Sequence, residues 1–360
     1  MPPVRPRLKP ALRRVWRDAT TLQLGLDPAR AVVIGGLDDG AARLVDCLDG
    51  SRDLAALHRT AAGLGLATAA ADELLDLLAQ AGVLEDAAAD HRVLRSLGRA
   101  ERDRLGPDIA AASIASGGTD GGVGVLSRRR HRVVGVHGAG RVGASLVNLL
   151  AAAGVGTLVV DDSGITSPAD LSPAGLGADD VGARRQDASW RNARTFAPAL
   201  RSRLPAGRAP DLAVVADDPH AADGRLADAL LRSGVPHLFA RVRDTTGLVG
   251  PLVLPGRSSC QRCHDLHRSD RDPAWPSISA QLAAASRHRT TPCDVVLAAA
   301  VAAAAGLQVL AFLDGDAVPP AVDGTLEIDQ SDGRVRRRSW SVHPSCGCSW
   351  PSGPSTRPAA

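Results

Sequence analysis

Residues 133–162 read VVGVHGAGRVGASLVNLLAAAGVGTLVVDD, and the order of elements in this segment indicates the fold class. The valine run predicts a strand, the glycines Gly138, Gly140 and Gly143 predict a tight turn, and the apolar pattern after them predicts a helix. A second strand then ends in Asp161 and Asp162. This order of elements is typical of the mononucleotide-binding half of a doubly wound α/β fold.

In such a fold the glycines let backbone N–H groups at the start of the helix approach a phosphate. An acid about 20 residues further on binds a ribose hydroxyl, and Asp162 stands at that distance. We therefore take Gly138, Gly140, Gly143 and Asp162 as candidate nucleotide-binding residues. The alternative is a glycine-rich turn between a strand and a helix that binds no ligand.

The charge balance argues against a nucleic-acid partner. The 360 residues carry 42 basic and 39 acidic side chains, a net charge of +3, and Lys9 is the single lysine. So small an excess of positive charge does not predict binding to a large polyanion. The basic run at residues 128–132 is short, and we interpret it as the solvated end of a linker.

The sequence also indicates a cytoplasmic protein. Its polar, proline-rich start does not resemble a signal peptide. The apolar run at residues 295–313 is mostly alanine and contains Gly306 and Gln308, which favours a buried helix over a membrane span. Six cysteines in a chain of this length do not indicate a disulfide scaffold.

The chain divides into two domains with a segment between them. Residues 1–86 predict strands at 12–24 and 31–34, forming a hairpin, followed by helices at 38–47, 52–64 and 69–81. This pattern is typical of a small winged-helix-like α+β domain. Residues 87–131 contain the glycine-rich SGGTDGGVG and predict a flexible linker.

The remainder predicts an α/β domain at 132–350 with a mixed sheet, and a disordered tail at 351–360. Its further strands are expected at residues 212–216, 237–240, 248–254, 325–328 and 335–342.

Two cysteine pairs predict a metal site. Cys260 and Cys263 are separated by two residues, and Cys346 and Cys348 by one. Two such pairs far apart in sequence can meet as one tetrahedral Cys₄ zinc site, which has no open position and is structural. The alternatives are a reversible disulfide and chance pairs, and the nearby histidines could be substitute ligands, namely His264 and His343.

Three further residues have both a chemical and a structural interpretation. Asp218 follows the strand at 212–216, where a carboxylate could hold Mg²⁺ beside a triphosphate or simply cap a helix. Cys293 stands before the alanine-rich helix, where its thiol could be a nucleophile or an inert small side chain. Cys47 lies in an apolar helical pattern and is expected in the core.

The α/β half resembles the ThiF/MoeB family, the prokaryotic relatives of ubiquitin-activating enzymes. The resemblance rests on the glycine stretch, on VGARR at 181–185, on the acid after the third strand and on the paired cysteines. It implies a Rossmann-like domain that binds ATP and Mg²⁺, adenylates a C-terminal carboxylate, carries a structural zinc and forms a dimer. By position, the three glycines match the phosphate loop, Asp162 the ribose acid and Asp218 the magnesium acid.

Two further positions have a catalytic role in the family. Arg185 stands where the family has a catalytic lysine, and Cys293 matches the place of the acceptor cysteine in ThiF-like members. The sequence departs from the family in the segment S-N-L-x-R-Q, where the asparagine is replaced by Asp170 and the arginine by Pro173. An aspartate repels a polyphosphate and a proline offers no donor, so the departure puts ATP use in question.

Residues 1–86 resemble the PqqD-like peptide-recognition domain. Such domains bind a leader peptide as an extra strand on the hairpin edge, here at residues 20–26 and 32–34, facing the helix at 69–81. Together the two halves resemble the partner protein of azoline-forming peptide (TOMM) cyclodehydratases. That resemblance implies a scaffold that presents a precursor peptide to a YcaO-type enzyme in bacteriocin-like peptide biosynthesis.

Three functions therefore remain open. The first is this leader-binding partner with a degenerate ThiF-like domain. The second is a working ATP-dependent adenylyltransferase that uses the candidate residues above. The third is an NAD(P) oxidoreductase, which the paired cysteines and the lack of evident hydride-transfer residues disfavour.

Overall fold

The computed structural model describes residues 3–89, 91–216, 224–284, 292–315 and 317–349. The chain separates into two compact units, residues 1–127 and 128–360. The tail at 351–360 and the magnesium candidate Asp218 lie outside the described residues.

The first unit contains two small antiparallel sheets. In one, β1 (Pro6–Leu8) pairs with β5 (Leu84–Asp86). In the other, the order is β2 (Arg14–Trp16), β3 (Leu22–Leu24) and β4 (Val32–Ile34). The strand expected at 12–24 is therefore two strands, because Asp18 Oδ1 accepts the backbone N–H of Thr20 at 2.9 Å and turns the chain.

Three helices complete this unit near the predicted positions: α1 (Asp39–Asp46), α2 (Leu54–Gly63) and α3 (Thr68–Gln80). Asp38 and Asp53 cap the first two by accepting backbone N–H groups from the first turn at 2.7 Å. The apolar faces of the helices pack against Leu22 and Leu24 of β3 in one core, and Cys47 lies at its border.

The predicted linker is largely helical. It forms α4 (Arg92–Arg95), α5 (Arg99–Ser116) and α6 (Val123–His131), and buries Leu97, Leu105 and Leu126 together. The glycine-rich segment is a turn between two helices. Gly117 ends α5 with φ 64°, and Asp120 accepts N–H groups at the start of α6. Glycine content alone does not reveal the apolar spacing on either side.

A seven-stranded mixed sheet forms the centre of the second unit, which confirms the predicted fold class. Its order is β12-β11-β10-β9-β8-β6-β7. The parallel part consists of β6 (Val133–His137), β7 (Thr157–Asp161), β8 (Leu212–Val215) and β9 (His237–Arg243). The strands β10 (Thr246–Val253), β11 (Gly324–Asp329) and β12 (Val335–Ser339) continue it antiparallel.

The sheet is covered on both faces. On one face lie α7 (Arg141–Ala152), α8 (Arg185–Phe196) and α12 (Val295–Asp314), which pack on the apolar side of the strands. On the other face lie α9 (Gly224–Arg232) and α10 (Gln261–Arg271) beside the paired cysteines. A further helix, α11 (Trp275–Ala284), follows α10.

Helix α12 is the one described helix that is long and apolar enough to cross a membrane, judged by length and composition alone. Its buried side chains, among them Leu297, Val301 and Val309, belong to the core of the second unit. The helix therefore packs as the sequence predicts, inside the protein.

Candidate functional site

The glycine turn joins β6 to α7 with very little space. Gly138 has φ +92°, a conformation that side chains disfavour. A Cβ on Gly143 would lie 1.9 Å from the carbonyl oxygen of Gly138, so only glycine lets the helix pack on the turn. A Cβ on Gly140 would meet nothing closer than Asp170 Oδ1 at 3.9 Å. The three glycines thus have different roles, and Gly143 has the strictest requirement.

Asp162 ties the end of β7 to this turn. Its side chain is buried, and its two oxygens accept the backbone N–H of Ala139 at 2.6 Å and of Gly164 at 2.7 Å. Arg185, the first residue of α8, donates to the same carboxylate, with Nη2 3.0 Å from Oδ1. The candidate ribose acid and the candidate catalytic arginine therefore form one ion pair.

Asp170 is the second carboxylate on Arg185, with Oδ1 3.1 Å from Nη1. Its other oxygen accepts the backbone N–H and the hydroxyl of Ser167, both at 2.8 Å, which fixes the loop after β7. Burial alone would lower the pKa of Arg185, but the charges of Asp162 and Asp170 raise it. The arginine is therefore a permanent cation held between two anions, next to the start of α7.

The loop that leads to Arg185 is ordered by Asp180. This buried carboxylate accepts the backbone N–H of Gly177 at 2.9 Å, the side chain of Asn192 at 2.7 Å and that of Arg191 at 3.1 Å. Burial would raise the pKa of Asp180, yet these hydrogen bonds lower it overall.

Arg141 is a residue of the site that the sequence analysis missed. It follows Gly140 as the first residue of α7, and its side chain reaches two other segments. Nε donates to the carbonyl of Ala169 and Nη1 to that of Cys293, both at 2.7 Å. Arg141 occupies a variable position of the glycine motif, and nothing in the sequence indicated that its side chain would bond to distant carbonyl groups.

Cys293 is thus brought by its backbone to the start of α7. Its side chain is half-buried at the edge of the main core. The next residue, Asp294, caps α12 by accepting two backbone N–H groups. The structure is therefore compatible with both interpretations of Cys293, as a nucleophile and as a small side chain at a helix start.

The four paired cysteines meet on the face opposite α7. The Sγ atom of Cys260 lies 3.8 Å from the Sγ of Cys263 and 3.5 Å from the Sγ of Cys346. The Sγ atoms of Cys263 and Cys348 are 3.4 Å apart. Sulfurs at the corners of a tetrahedron around a zinc ion are about 3.8 Å apart. All four sulfurs are free thiols within 4.8 Å of one another, so the set fits a metal ion.

The chemistry of these thiols fits a cation as well. Burial raises the pKa of Cys260 to about 12, so without a positive charge nearby it stays protonated. A dication bound here would hold these cysteines as thiolates and would link the segment before α10 to residues 346–348. The predicted assembly of the two pairs into one site is thereby supported.

The two histidines considered as substitute ligands have other partners. His264 stacks on Trp340, with ring centroids 4.4 Å apart, and burial together with Arg268 and Arg241 lowers its pKa to about 3. His343 has Nε2 2.9 Å from Asp270 Oδ2, and its Nδ1 accepts the backbone N–H of Ser345. The four cysteines are therefore the candidate ligand set.

Comparison with known proteins identifies a matching family model and several solved structures of similar fold. Residues 118–349 match the model of the ThiF family. No curated protein matches the sequence. The fold is similar to Escherichia coli MccB with AMPCPP and selenomethionine MccA, at TM-score 0.74 and 15% identity, over 96% of this chain and 99% of that one.

Two other structures give a similar result. MccB with ATP has a TM-score of 0.73 at 15% identity, over 95% of this chain and 99% of that chain. Selenomethionine PaaA has a TM-score of 0.69 at 17% identity, over 92% of this chain and 99% of that chain. At such identities the likeness extends to the fold, including the first unit, and not to the chemistry of the site.

Proposed function

We propose that this chain, which belongs to the ThiF family, is a leader-peptide-binding partner of a YcaO-type cyclodehydratase. Its first unit binds the leader of a ribosomal precursor peptide, in the manner of PqqD-like domains. Its second unit keeps the nucleotide fold as a scaffold that docks the enzyme and forms a homodimer. The four cysteines hold a structural zinc ion, and the protein acts in the cytoplasm.

The observation that carries this proposal is the engagement of Arg185 by Asp162 and Asp170. A polyphosphate at the start of α7 would have to compete with both carboxylates for the arginine. It would also approach Asp170, whose oxygen borders the position of Gly140. Because like charges repel and the cation is already paired, the arrangement disfavours ATP use by this unit.

The first unit supports the peptide-binding part of the proposal. Strand β4 pairs only with β3 among the described residues, which leaves its other edge available for a further strand. The expected edge is therefore β4, whereas β3 is the central strand of the sheet and has partners on both sides. Val33 of β4 is 47% exposed, and Leu77 of α3 is 54% exposed. Both offer apolar surface outside the core.

The test is binding of a fluorescent leader peptide, encoded beside the gene, to the full-length protein. Val33→Glu should weaken binding about tenfold, since burying a valine contributes about 1.5 kcal/mol. Val15→Glu is the matched control, because Val15 is 41% exposed on β2, the opposite edge of the same sheet. Equal losses in both variants, or no binding by the parent protein, would contradict the proposal.

A second candidate is an ATP-dependent adenylyltransferase that acts on a peptide carboxylate. The intact glycine turn, with Asp162 bonded to Ala139, favours it, as does the full-length likeness to MccB. Gly138, Gly140, Gly143 and Asp162 would then hold ATP. Isothermal calorimetry with ATP and Mg²⁺ separates the two functions, because micromolar binding supports only the second. ATP-dependent pyrophosphate exchange with the precursor peptide would then establish it.

A further inference from the structure

A buried arginine of β9, Arg241, lies beyond the carboxyl end of the neighbouring parallel strand β8. Arg241 is in β9, two residues past Phe239, which pairs with Val215 at the end of β8. It points to the same face as Phe239, since side chains alternate along a strand. In open α/β sheets, ligands bind beyond the carboxyl ends of the parallel strands. Arg241 therefore stands in a region where a ligand is expected, on the face opposite α7.

The charge of Arg241 is poorly compensated. The side chain is 8% exposed, and Nη2 donates to Gln261 Oε1 at 3.2 Å. Its buried Nε has no hydrogen-bond partner, and among the described residues Arg241 forms no ion pair. Burial, together with the charges of Arg243 and Arg268, lowers the pKa of Arg241 to about 10. A buried cation that lacks an ion pair and leaves an N–H unpaired is costly, which makes such an arrangement uncommon unless a ligand completes it.

Two more arginines border Arg241. Arg243 is half-buried on the same face of β9 and forms no ion pair among the described residues. Arg268 of α10 has its guanidinium 5.1 Å from the ring centroid of Trp275 and 5.2 Å from that of Trp340.

The carboxylate nearest to these three cations is already engaged. Asp265 Oδ1 accepts Arg268 Nη1 at 3.0 Å and Trp275 Nε1 at 3.3 Å. The other oxygen of Asp265 accepts a hydrogen bond from the side-chain amide of Gln261 at 3.4 Å. The same Gln261 accepts a hydrogen bond from Arg241. Asp244 and Glu327 also act on Arg243, whereas Asp265 is the carboxylate that acts on Arg241 and it is already bonded to Arg268. The deficit of negative charge is therefore greatest at Arg241.

We propose that Arg241, Arg243 and Arg268 form a binding site for a carboxylate group of a peptide ligand, separate from the glycine turn. Planar guanidinium groups present paired N–H donors that match the two oxygens of a carboxylate. The aromatic rings hold two of these groups in place, with Arg241 over Phe239 and Arg268 beside Trp275. The bound carboxylate supplies the partner that Arg241 Nε lacks.

The experiment is thermal unfolding and calorimetric titration of the full-length protein with acetylated tetraglutamate amide. Acetylated tetraglutamine amide and inorganic phosphate, at equal ionic strength, are the comparison ligands. We expect tetraglutamate to raise the melting temperature and the two comparison ligands not to. Stabilisation by phosphate alone, or equally by tetraglutamine, would overturn the carboxylate assignment.

Variants separate a binding site from a structural arginine. Arg241→Met should abolish the response to tetraglutamate while leaving the melting temperature of the free protein equal or higher, because it removes an uncompensated buried charge. Arg336→Gln, on the exposed strand β12, is the matched control and should keep the full response. Arg243→Gln at the rim should weaken binding about tenfold without unfolding the protein. The site would be refuted if Arg241→Met lowered the melting temperature of the free protein while Arg241→Met and Arg243→Gln both kept the response to tetraglutamate.

Discussion

Replacing Asp170 with asparagine should restore nucleotide binding if the two carboxylates around Arg185 prevent it. Asparagine keeps only one acceptor oxygen, so it can accept from Ser167, which fixes the loop, while its contact with Arg185 is lost. The substitution removes one negative charge beside the start of α7, where Asp170 Oδ1 lies 3.9 Å from the Cβ position of Gly140. It also leaves Arg185 paired with a single carboxylate.

The size of the effect follows from the distance. A phosphate held by the first N–H groups of α7 would lie about 6 Å from Asp170, and two unit charges at about 6 Å interact by about 3 kcal/mol at an effective dielectric constant near 20. This is about a hundredfold in affinity. Because Arg185 already neutralises part of the charge, we expect Asp170→Asn to lower the Kd for ATP·Mg²⁺ by about tenfold to a hundredfold.

The assay is isothermal calorimetry on the metal-loaded protein, with Asp179→Asn as the control. Asp179 is exposed in the same loop, so its loss changes the net charge equally without touching Arg185. The reasoning would be refuted if Asp170→Asn and Asp179→Asn bound ATP equally, with both proteins folded. It would also be refuted if the parent protein already bound ATP at micromolar concentration.

Three further predictions concern stability. Cys263→Ser should reduce bound zinc from about one equivalent to a small fraction and lower the melting temperature, whereas Cys47→Ser, in the other unit, should leave the metal content unchanged. Gly143→Ala should destabilise the protein by about 3 kcal/mol or more in urea unfolding, because its Cβ would collide with the turn; Gly140→Ala should cost about 1 kcal/mol or less. Asp180→Asn should cost about 2 kcal/mol at pH 7. The pKa of Asp180 is lowered in the folded protein, so its carboxylate contributes stability above the unfolded pKa of about 3.9. This stability is lost as the pH falls through the folded pKa, so the free energies of unfolding of parent and variant should converge in acid.

The glycine turn and the two cysteine pairs could be predicted because their signals are local. The strand before Gly138, the helix after Gly143 and the acid at Asp162 follow from periodicity and from the few residue types that a tight turn accepts. The α/β class and the positions of the later strands have the same origin. The assembly of Cys260 and Cys346, although 86 residues apart, was also predicted, since a chemical rule for zinc sites connects them.

Other features depend on which segments the fold brings together. The strand expected at 12–24 is divided by a side chain, Asp18, that bonds to a nearby backbone group, and the segment at 87–131 is helical because its leucines find a common core. Sequence patterns predict such elements weakly when tertiary packing decides between helix and linker.

The nucleotide-fold architecture, the pairing of the cysteines and the departure at Asp170 could all be predicted from the residues alone. Folding brings Asp170 to Arg185 and Arg141 to Cys293, and it buries Arg241 without an ion pair among the described residues. The charge of a residue follows from its type, whereas its burial and its partners depend on how distant segments pack. The energy of an ionic group depends mainly on those two quantities.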